Sequence, residues 1–188
     1  MEVTKKTIFF FDMDGTLINT NIANFLSYQA AVSVVMGKDI SFASYNPMER
    51  FNRSLLKSLF PSFTESDYEK IIQEKERCYK DYLPQTTIIK ENVKILLKYS
   101  TTHRTVLVSN CRQDRVLETL SYHGLTDKFT NLFYRDTTIV TQKISKYQNA
   151  INLLGISPDN VVAFENEQTE IAGAGEAGIK VINPQISL

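Results

Sequence analysis

A short apolar run that ends in two acidic residues lies close to the amino terminus and constrains the fold more than any other stretch. Residues 8–11 read Ile-Phe-Phe-Phe and lead into Asp12 and Asp14, which are separated by one residue and are followed by Gly15 and Thr16. Such apolar residues favour a buried strand, and Asp-Gly-Thr favours a tight turn. Residues i and i+2 of a strand point to the same side, yet the turn lets the two carboxylates act differently on one ligand. The sequence therefore predicts an active site at this strand end.

The residues that follow this turn have the periodicity of helices. Apolar residues recur at helical spacing, and the stretch contains no convincing strand. Three helices are predicted: one that ends near Gly37, one that begins at Pro47, and one that is capped at Thr64 and ends before Pro84. The predicted division is a core of residues 1–20 and 84–188 with an all-helical insert of residues 21–83.

Beyond the insert, helices alternate with strands. An amphipathic helix at residues 90–99 carries Val93, Leu96 and Leu97 on one face. A short β-branched strand at residues 105–108 then delivers Ser109 and Asn110 at its carboxyl end. Alternation of this kind predicts an α/β fold with a doubly wound parallel sheet, in which polar residues at the strand ends converge on one edge. The later elements are predicted as a helix at 112–124, a helix at 146–154 capped by Ser145, a strand at 160–164 and an edge strand at 180–184.

Composition narrows the function classes. The chain has 188 residues, 43% of them hydrophobic, so it can bury one core of about 100 to 150 residues and a modest appendage. Lysine plus arginine equals aspartate plus glutamate, 21 each, without a basic patch, so nucleic acid is not expected as a partner. No apolar run reaches roughly 18 residues and no cleavage site follows the start, so we expect a soluble, cytoplasmic protein that does not bind membranes. Cys78 and Cys111 lack metal-binding spacing and are expected to be free thiols.

Two of these strand ends resemble motifs of the haloacid dehalogenase superfamily. The sequence Asp-Met-Asp-Gly-Thr-Leu from Asp12 is similar to its first motif, in which the first aspartate is a nucleophile that forms an aspartyl phosphate and the second is a general acid and base. The resemblance thus implies these roles for Asp12 and Asp14. Ser109 resembles the second motif, whose hydroxyl, with the adjacent backbone amide at Asn110, holds the transferring phosphoryl group.

A third motif of the superfamily supplies a lysine. Phosphoryl transfer needs a fixed cation that offsets the charge of the substrate and of the nucleophile. Counting back from Gly155, Lys143 falls where the superfamily places this lysine, and Lys146 is the alternative. Many members have Lys-Pro here, whereas this chain has Lys143 followed by Ile144.

The fourth motif of the superfamily binds magnesium with acids that follow a strand. Glu165 matches the acid of a common Glu-Asp pair, and Glu170 matches the later acid of another version of the motif. Asn166 stands where the metal-ligating aspartate normally lies. Glu167 has the alternative role of a helix-capping acid. The resemblance implies a metal site of Asp12, Asp14, Asn166 and Glu165.

Together these motifs imply a magnesium-dependent phosphatase that acts on a phosphate monoester through an aspartyl phosphate. Lys143 and the metal would neutralise the phosphate, and Ser109, Asn110 and the first turn at Thr16 would hold its oxygens. Dehalogenase relatives lack an acid at the position of Asp14, so this residue favours phosphoryl transfer. Two alternatives stay open: a phosphomutase with the same residues, and a phosphate-binding or regulatory module weakened by Asn166.

The helical insert resembles the small cap that many members carry between the first and second motifs. A cap of this kind contributes to substrate specificity. A small sugar or nucleotide phosphate is the default substrate, and an aryl phosphate resembling phosphotyrosine or a phosphoprotein is the alternative. The sequence does not predict the oligomeric state. Candidate specificity residues in the insert are Tyr28, Tyr45, Arg50 and Arg53.

Overall fold

The computed structural model describes residues 3–37, 46, 50–135 and 144–186. The chain forms two compact units. One consists of Met1–Ile18 and Ile88–Leu188, and the other is Asn19–Thr87. These boundaries lie two to four residues from those of the predicted core and insert.

The described part of the chain contains seven strands and seven α-helices. The strands are β1 (Ile8–Phe11), β2 (Ile18–Asn19), β3 (Thr87–Ile88), β4 (Arg104–Arg112), β5 (Asn131–Arg135), β6 (Val161–Phe164) and β7 (Val181–Ile182). The helices are α1 (Asn21–Met36), α2 (Arg53–Leu59), α3 (Glu65–Cys78), α4 (Lys90–Tyr99), α5 (Gln113–Tyr122), α6 (Lys146–Leu154) and α7 (Gln168–Glu176).

The larger unit is built on a five-stranded parallel sheet with β1 at its centre. The strand order is β5-β4-β1-β6-β7. Phe11 of β1 pairs with Leu107 of β4 on one side and with Phe164 of β6 on the other. Because parallel strands end at the same edge, the residues that follow β1 and β6 lie on one side of the sheet together with the last residues of β4.

Helices cover both faces of this sheet, as a continuous apolar strand requires. Successive side chains of β1 alternate between the faces. Phe9 and Phe11 join a cluster that includes residues of α4 and α5, whereas Phe10 packs with Tyr147 of α6 and Ala174 of α7. The predicted doubly wound α/β fold is confirmed.

The strand that carries Ser109 and Asn110 is longer than predicted. β4 runs past Val108 to Arg112, and its register against β5 shifts between these two residues. A register shift of this kind marks an irregularity that re-aims side chains near a strand end. Ser109 and Asn110 lie within this irregular part of β4, and not in a loop after it.

In the described residues of the smaller unit, Asn19–Thr87, the regular elements are helices, apart from the residues of β2 and β3 at its two ends. Gly37 caps the end of α1 in a left-handed conformation with φ +65°, and α3 begins with a capping box between Thr64 and Asp67. Its apolar core includes Tyr28 and Ile71. Among the described residues, no helix is long and apolar enough to cross a membrane.

The predicted start of the second helix is wrong by several residues. α2 begins at Arg53, because the side chain of Asn52 accepts a hydrogen bond from the Leu55 amide and caps the helix there. The expected start, Pro47, and the candidate specificity residue Tyr45 lie outside the described residues.

The burial of α4 differs from the predicted face at one position. Val93 and Leu96 are buried as expected, but Leu97 is 46% exposed, and Ile95 is buried in its place.

The neighbouring residues Leu96 and Leu97 therefore offer a matched pair of substitutions, one in the core and one at the surface. Leu96→Ala should lower the free energy of unfolding by about 2 to 5 kcal/mol, since it opens a cavity in the core.

Leu97→Ala makes the same chemical change on the exposed side of the same helix, and it should lower the free energy of unfolding by less than about 1 kcal/mol. Urea denaturation followed by circular dichroism measures both losses. Equal losses for the two variants would contradict the packing of α4 described here.

Candidate active site

A tight turn after β1 sets the position of the first two acids. The Asp12 amide donates to the carbonyl of Phe164 at 3.0 Å, so the pairing with β6 continues one residue beyond the strand. Gly15 then adopts φ +82°, which favours glycine, and a Cβ there would lie 2.4 Å from Nδ2 of Asn166. The absence of a side chain at Gly15 lets the turn pack directly against Asn166.

A buried lysine joins the first acid to the acid that follows β6. Nζ of Lys146 lies 2.7 Å from Oδ1 of Asp12 and 2.7 Å from Oε2 of Glu165. All three side chains are at most 8% exposed. Lys146 is the first residue of α6, and the hydroxyl of Ser145 caps this helix by accepting from the Gln148 amide, as predicted. The cap fixes the start of α6 and therefore the origin of the lysine side chain.

Glu165 is held by donors on both of its carboxylate oxygens. Oε1 accepts from the backbone amides of Asn166 and Glu167 at 2.8 and 2.9 Å. Oε2 accepts from the hydroxyl of Tyr147 at 2.9 Å as well as from Lys146. The side-chain amide of Asn183 also bonds to the backbone of Glu165, accepting from its amide and donating to its carbonyl. This network fixes the carboxylate that positions Lys146.

Burial and charge act against each other at Asp12 and Lys146. Burial raises the pKa of Asp12 to about 7, although the Lys146 cation lowers it, and the charge of Glu165 adds to the rise. Burial would lower the pKa of Lys146, but the Asp12 and Glu165 carboxylates outweigh burial and raise it. The lysine therefore stays charged, and any further cation beside Asp12 would favour the ionised form of this carboxyl group.

The second acid has different partners. Oδ2 of Asp14 accepts from Nη2 of Arg115 at 2.7 Å and from the thiol of Cys111 at 3.1 Å. Burial raises the pKa of the Cys111 thiol to about 12, so it remains an S–H donor at neutral pH. Two carboxylates that only one residue separates in the chain are thus bound to two different cations.

The remaining predicted residues form three further hydrogen bonds. The hydroxyl of Thr16 donates to Oδ1 of Asn166 at 3.0 Å. The side chain of Asn110 donates to Oε1 of Glu170 at 2.9 Å, and the other oxygen of Glu170 is 4.0 Å from Nζ of Lys146. The hydroxyl of buried Ser109 accepts from the Cys111 amide at 3.2 Å.

Of the two candidate lysines, only one can be placed. Lys143 lies outside the described residues, whereas Lys146 contacts Asp12 directly. The site also contains three side chains that no sequence motif indicated: Arg115, Cys111 and Tyr147.

The oxygen atoms at this edge of the sheet decide whether a metal ion could bind there. Within the described ranges, no three His, Cys, Asp or Glu side chains group in a way that could hold a metal. The Asp12 carboxylate, the Asp14 carbonyl oxygen and the amide oxygen of Asn166 are nevertheless oxygen donors, and magnesium needs only one or two carboxylates with water and substrate oxygens. This set fits magnesium by donor type, whereas both oxygens of Glu165 are bonded within the protein.

Comparison with known proteins gives a match over most of the chain. A family model for haloacid dehalogenase-like hydrolases matches residues 9–183. No curated protein matches the sequence. Several solved structures share the fold at low sequence identity.

A haloacid dehalogenase-like hydrolase family protein from Streptococcus pneumoniae has a TM-score of 0.73 at 16% identity, over 95% of this chain and 84% of that one. A predicted phosphoglycolate phosphatase from Haemophilus somnus has a TM-score of 0.74 at 19% identity, over 94% and 84%. CbbY from Rhodobacter sphaeroides, in complex with phosphate, has a TM-score of 0.73 at 17% identity, over 95% and 86%. At these identities the likeness concerns the fold.

Proposed function

The chain belongs to the haloacid dehalogenase-like hydrolase family, and from this premise we propose that it is a magnesium-dependent phosphatase that hydrolyses a phosphate monoester through an aspartyl phosphate on Asp12. One observation carries the proposal: Nζ of Lys146 lies 2.7 Å from Oδ1 of Asp12 in a buried site at the carboxyl edge of the sheet. A fixed cation at the nucleophile is what charge stabilisation in phosphoryl transfer requires.

The proposed reaction has two steps. In the first, the Asp12 carboxylate attacks phosphorus, the bond from phosphorus to the ester oxygen breaks, and Asp14 gives a proton to the leaving oxygen. In the second, Asp14 takes a proton from water, and the water oxygen attacks the phosphorus of the aspartyl phosphate. The bond between Asp12 and phosphorus then breaks, which releases inorganic phosphate and regenerates both acids.

We assign the cation of this mechanism to Lys146. Lys143 has the spacing that the family resemblance favours, but Lys146 has the contact with Asp12. We assign Glu165 to the positioning of Lys146, since both of its carboxylate oxygens are already bonded. The hydroxyl of Ser109 and the backbone amide at Asn110 would hold the phosphoryl oxygens.

Magnesium would be held by the Asp12 carboxylate, the Asp14 carbonyl oxygen and the Asn166 amide oxygen. When bound, it would supply positive charge that offsets the phosphate. Thr16 would act through Asn166, because its hydroxyl donates to the side-chain oxygen of Asn166 that would bind the metal. A neutral amide in place of a carboxylate removes one negative charge, so metal binding without substrate should be weak.

The substrate class is a small phosphate ester, with an aryl phosphate resembling phosphotyrosine or a phosphoprotein as the alternative. A phosphomutase would use the same residues, but it would return the phosphoryl group to the substrate and not to water. Release of inorganic phosphate from a panel of esters therefore tests the proposed reaction.

Turnover of that panel with magnesium should depend on one lysine and not on the other. Lys146→Met should lower kcat by at least about 100-fold, because the charge at Asp12 is no longer offset. Lys143→Met removes the same charge three residues away and should change kcat by less than about threefold if the contact seen for Lys146 is the catalytic one.

The two lysine variants also define a contrary result. If Lys143→Met abolishes phosphate release while Lys146→Met retains it, the assignment of the cation is wrong. If the wild-type protein releases no phosphate from any ester at high magnesium concentration, the proposed phosphatase reaction is wrong.

Substitution of Asn166 tests the metal site separately. Asn166→Asp should lower the magnesium concentration for half-maximal activity by roughly tenfold, since it restores a charged oxygen ligand. Asn152→Asp adds the same charge at an exposed position on α6 and should leave this concentration unchanged.

Glutamate variants complete this measurement. If Asn166→Asp leaves the magnesium requirement unchanged while Glu165→Gln or Glu170→Gln abolishes it, a glutamate is the ligand and the proposed metal set is wrong. A wild-type protein without turnover that gains it in Asn166→Asp would favour the alternative of a phosphate-binding module.

A further inference from the structure

Two side chains hold the carboxylate of Asp14 through one of its oxygens. Nη2 of Arg115 donates to Oδ2 at 2.7 Å, and the thiol of Cys111 donates to the same atom at 3.1 Å. The Asp14 and Arg115 side chains are 5% and 8% exposed. A charge-assisted bond of this length in a buried site fixes the direction of a carboxylate more firmly than a bond to a neutral donor.

Arg115 reaches Asp14 from a firmly packed element. It lies in the first turn of α5, and the neighbouring Val116 and Leu120 of that helix are fully buried against the sheet. Its side chain is only 8% exposed, so the surrounding packing, and not the rigidity of the guanidinium alone, restricts the positions that it can take. The helix therefore sets where Oδ2 of Asp14 lies.

We infer that Arg115 is a positioning residue for Asp14, which orients this carboxylate for the two proton transfers of the reaction. The inference rests on the proposed function, in which Asp14 is the acid and base. A group that transfers protons must lie within about 2.6 to 3.2 Å of the atom it serves, so its orientation limits the rate. Arg115 would act through Asp14 and not on the substrate.

A purely structural role explains this ion pair less well. Charges lose hydration when they are buried, and a buried pair often contributes little net stability compared with apolar residues of the same size. The guanidinium also donates to Asp14 in a site where Lys146 already forms an ion pair with Asp12. The arrangement gives each acid its own cation, which fits two acids that have separate tasks.

A double-mutant cycle with Asp14→Asn tests the inference. With an aryl phosphate, whose leaving group needs little protonation, Arg115→Met should lower kcat by about tenfold or more with little change in KM, because water activation becomes limiting. The fraction of protein that carries a labelled aspartyl phosphate at steady state should rise. In the Asp14→Asn background, Arg115→Met should change kcat by less than about twofold, since Arg115 has no acid left to position.

Arg112→Met is the matched control, since Arg112 lies three residues away in an exposed pair with Asp114. In both the wild-type and the Asp14→Asn background, Arg112→Met should change kcat by less than about twofold. Arg115→Lys keeps the charge without the planar fork and should give an intermediate kcat. Circular dichroism checks folding, and if Arg115→Met does not fold, the cycle is carried out with Arg115→Lys.

The outcomes separate this inference from the proposed function. Equal losses of kcat in the wild-type and Asp14→Asn backgrounds would overturn it, as would a raised KM with unchanged kcat and unchanged labelling. If the wild-type protein turns over the ester without any labelled aspartyl phosphate, it is the proposed mechanism that fails. Labelling in the wild type with additive losses would leave the mechanism standing and remove only the role of Arg115.

Discussion

The contact of one buried ammonium group with two carboxylates is the interaction on which the site depends. Asp12 follows β1, Glu165 follows β6, and Lys146 opens α6. Each acid would be costly to bury alone, and the shared cation offsets that cost. The burial that raises the pKa of Asp12 to about 7 is the same burial that makes a neighbouring positive charge effective. The parallel sheet makes the contact possible, because it ends neighbouring strands at one edge.

The two acids of the first turn differ in their surroundings and therefore in what they can do. Asp12 faces a lysine that a second carboxylate holds, whereas Asp14 faces an arginine and a neutral thiol. Met13, which is fully buried, lies between them, and Gly15 follows both acids, where its left-handed backbone turns the chain and lets it pack against Asn166. Different partners for two carboxylates are the arrangement that a nucleophile and a proton carrier need.

The sequence predicted what depends on local pattern and missed what depends on distant contacts. The doubly wound α/β fold followed from alternating strands and helices, and α6 began and ended as its serine cap and Gly155 indicate. The choice between Lys143 and Lys146 could not be made from spacing, because a shift of three residues along a helix start decides which side chain reaches Asp12. Arg115 is separated from Asp14 by 101 positions, and a single arginine in an amphipathic helix gives no local signal of such a contact.

The central claim is that Asp12 carries the phosphoryl group during the reaction. The most direct test mixes the protein with a phosphate ester labelled in its phosphoryl group, stops the reaction with acid within milliseconds, and locates the label by peptide mapping. The account predicts label on Asp12 in the wild-type protein and none in Asp12→Asn, which keeps the size of the side chain but cannot form the acyl phosphate. Label on another residue, or phosphate release without any labelled protein, would contradict it.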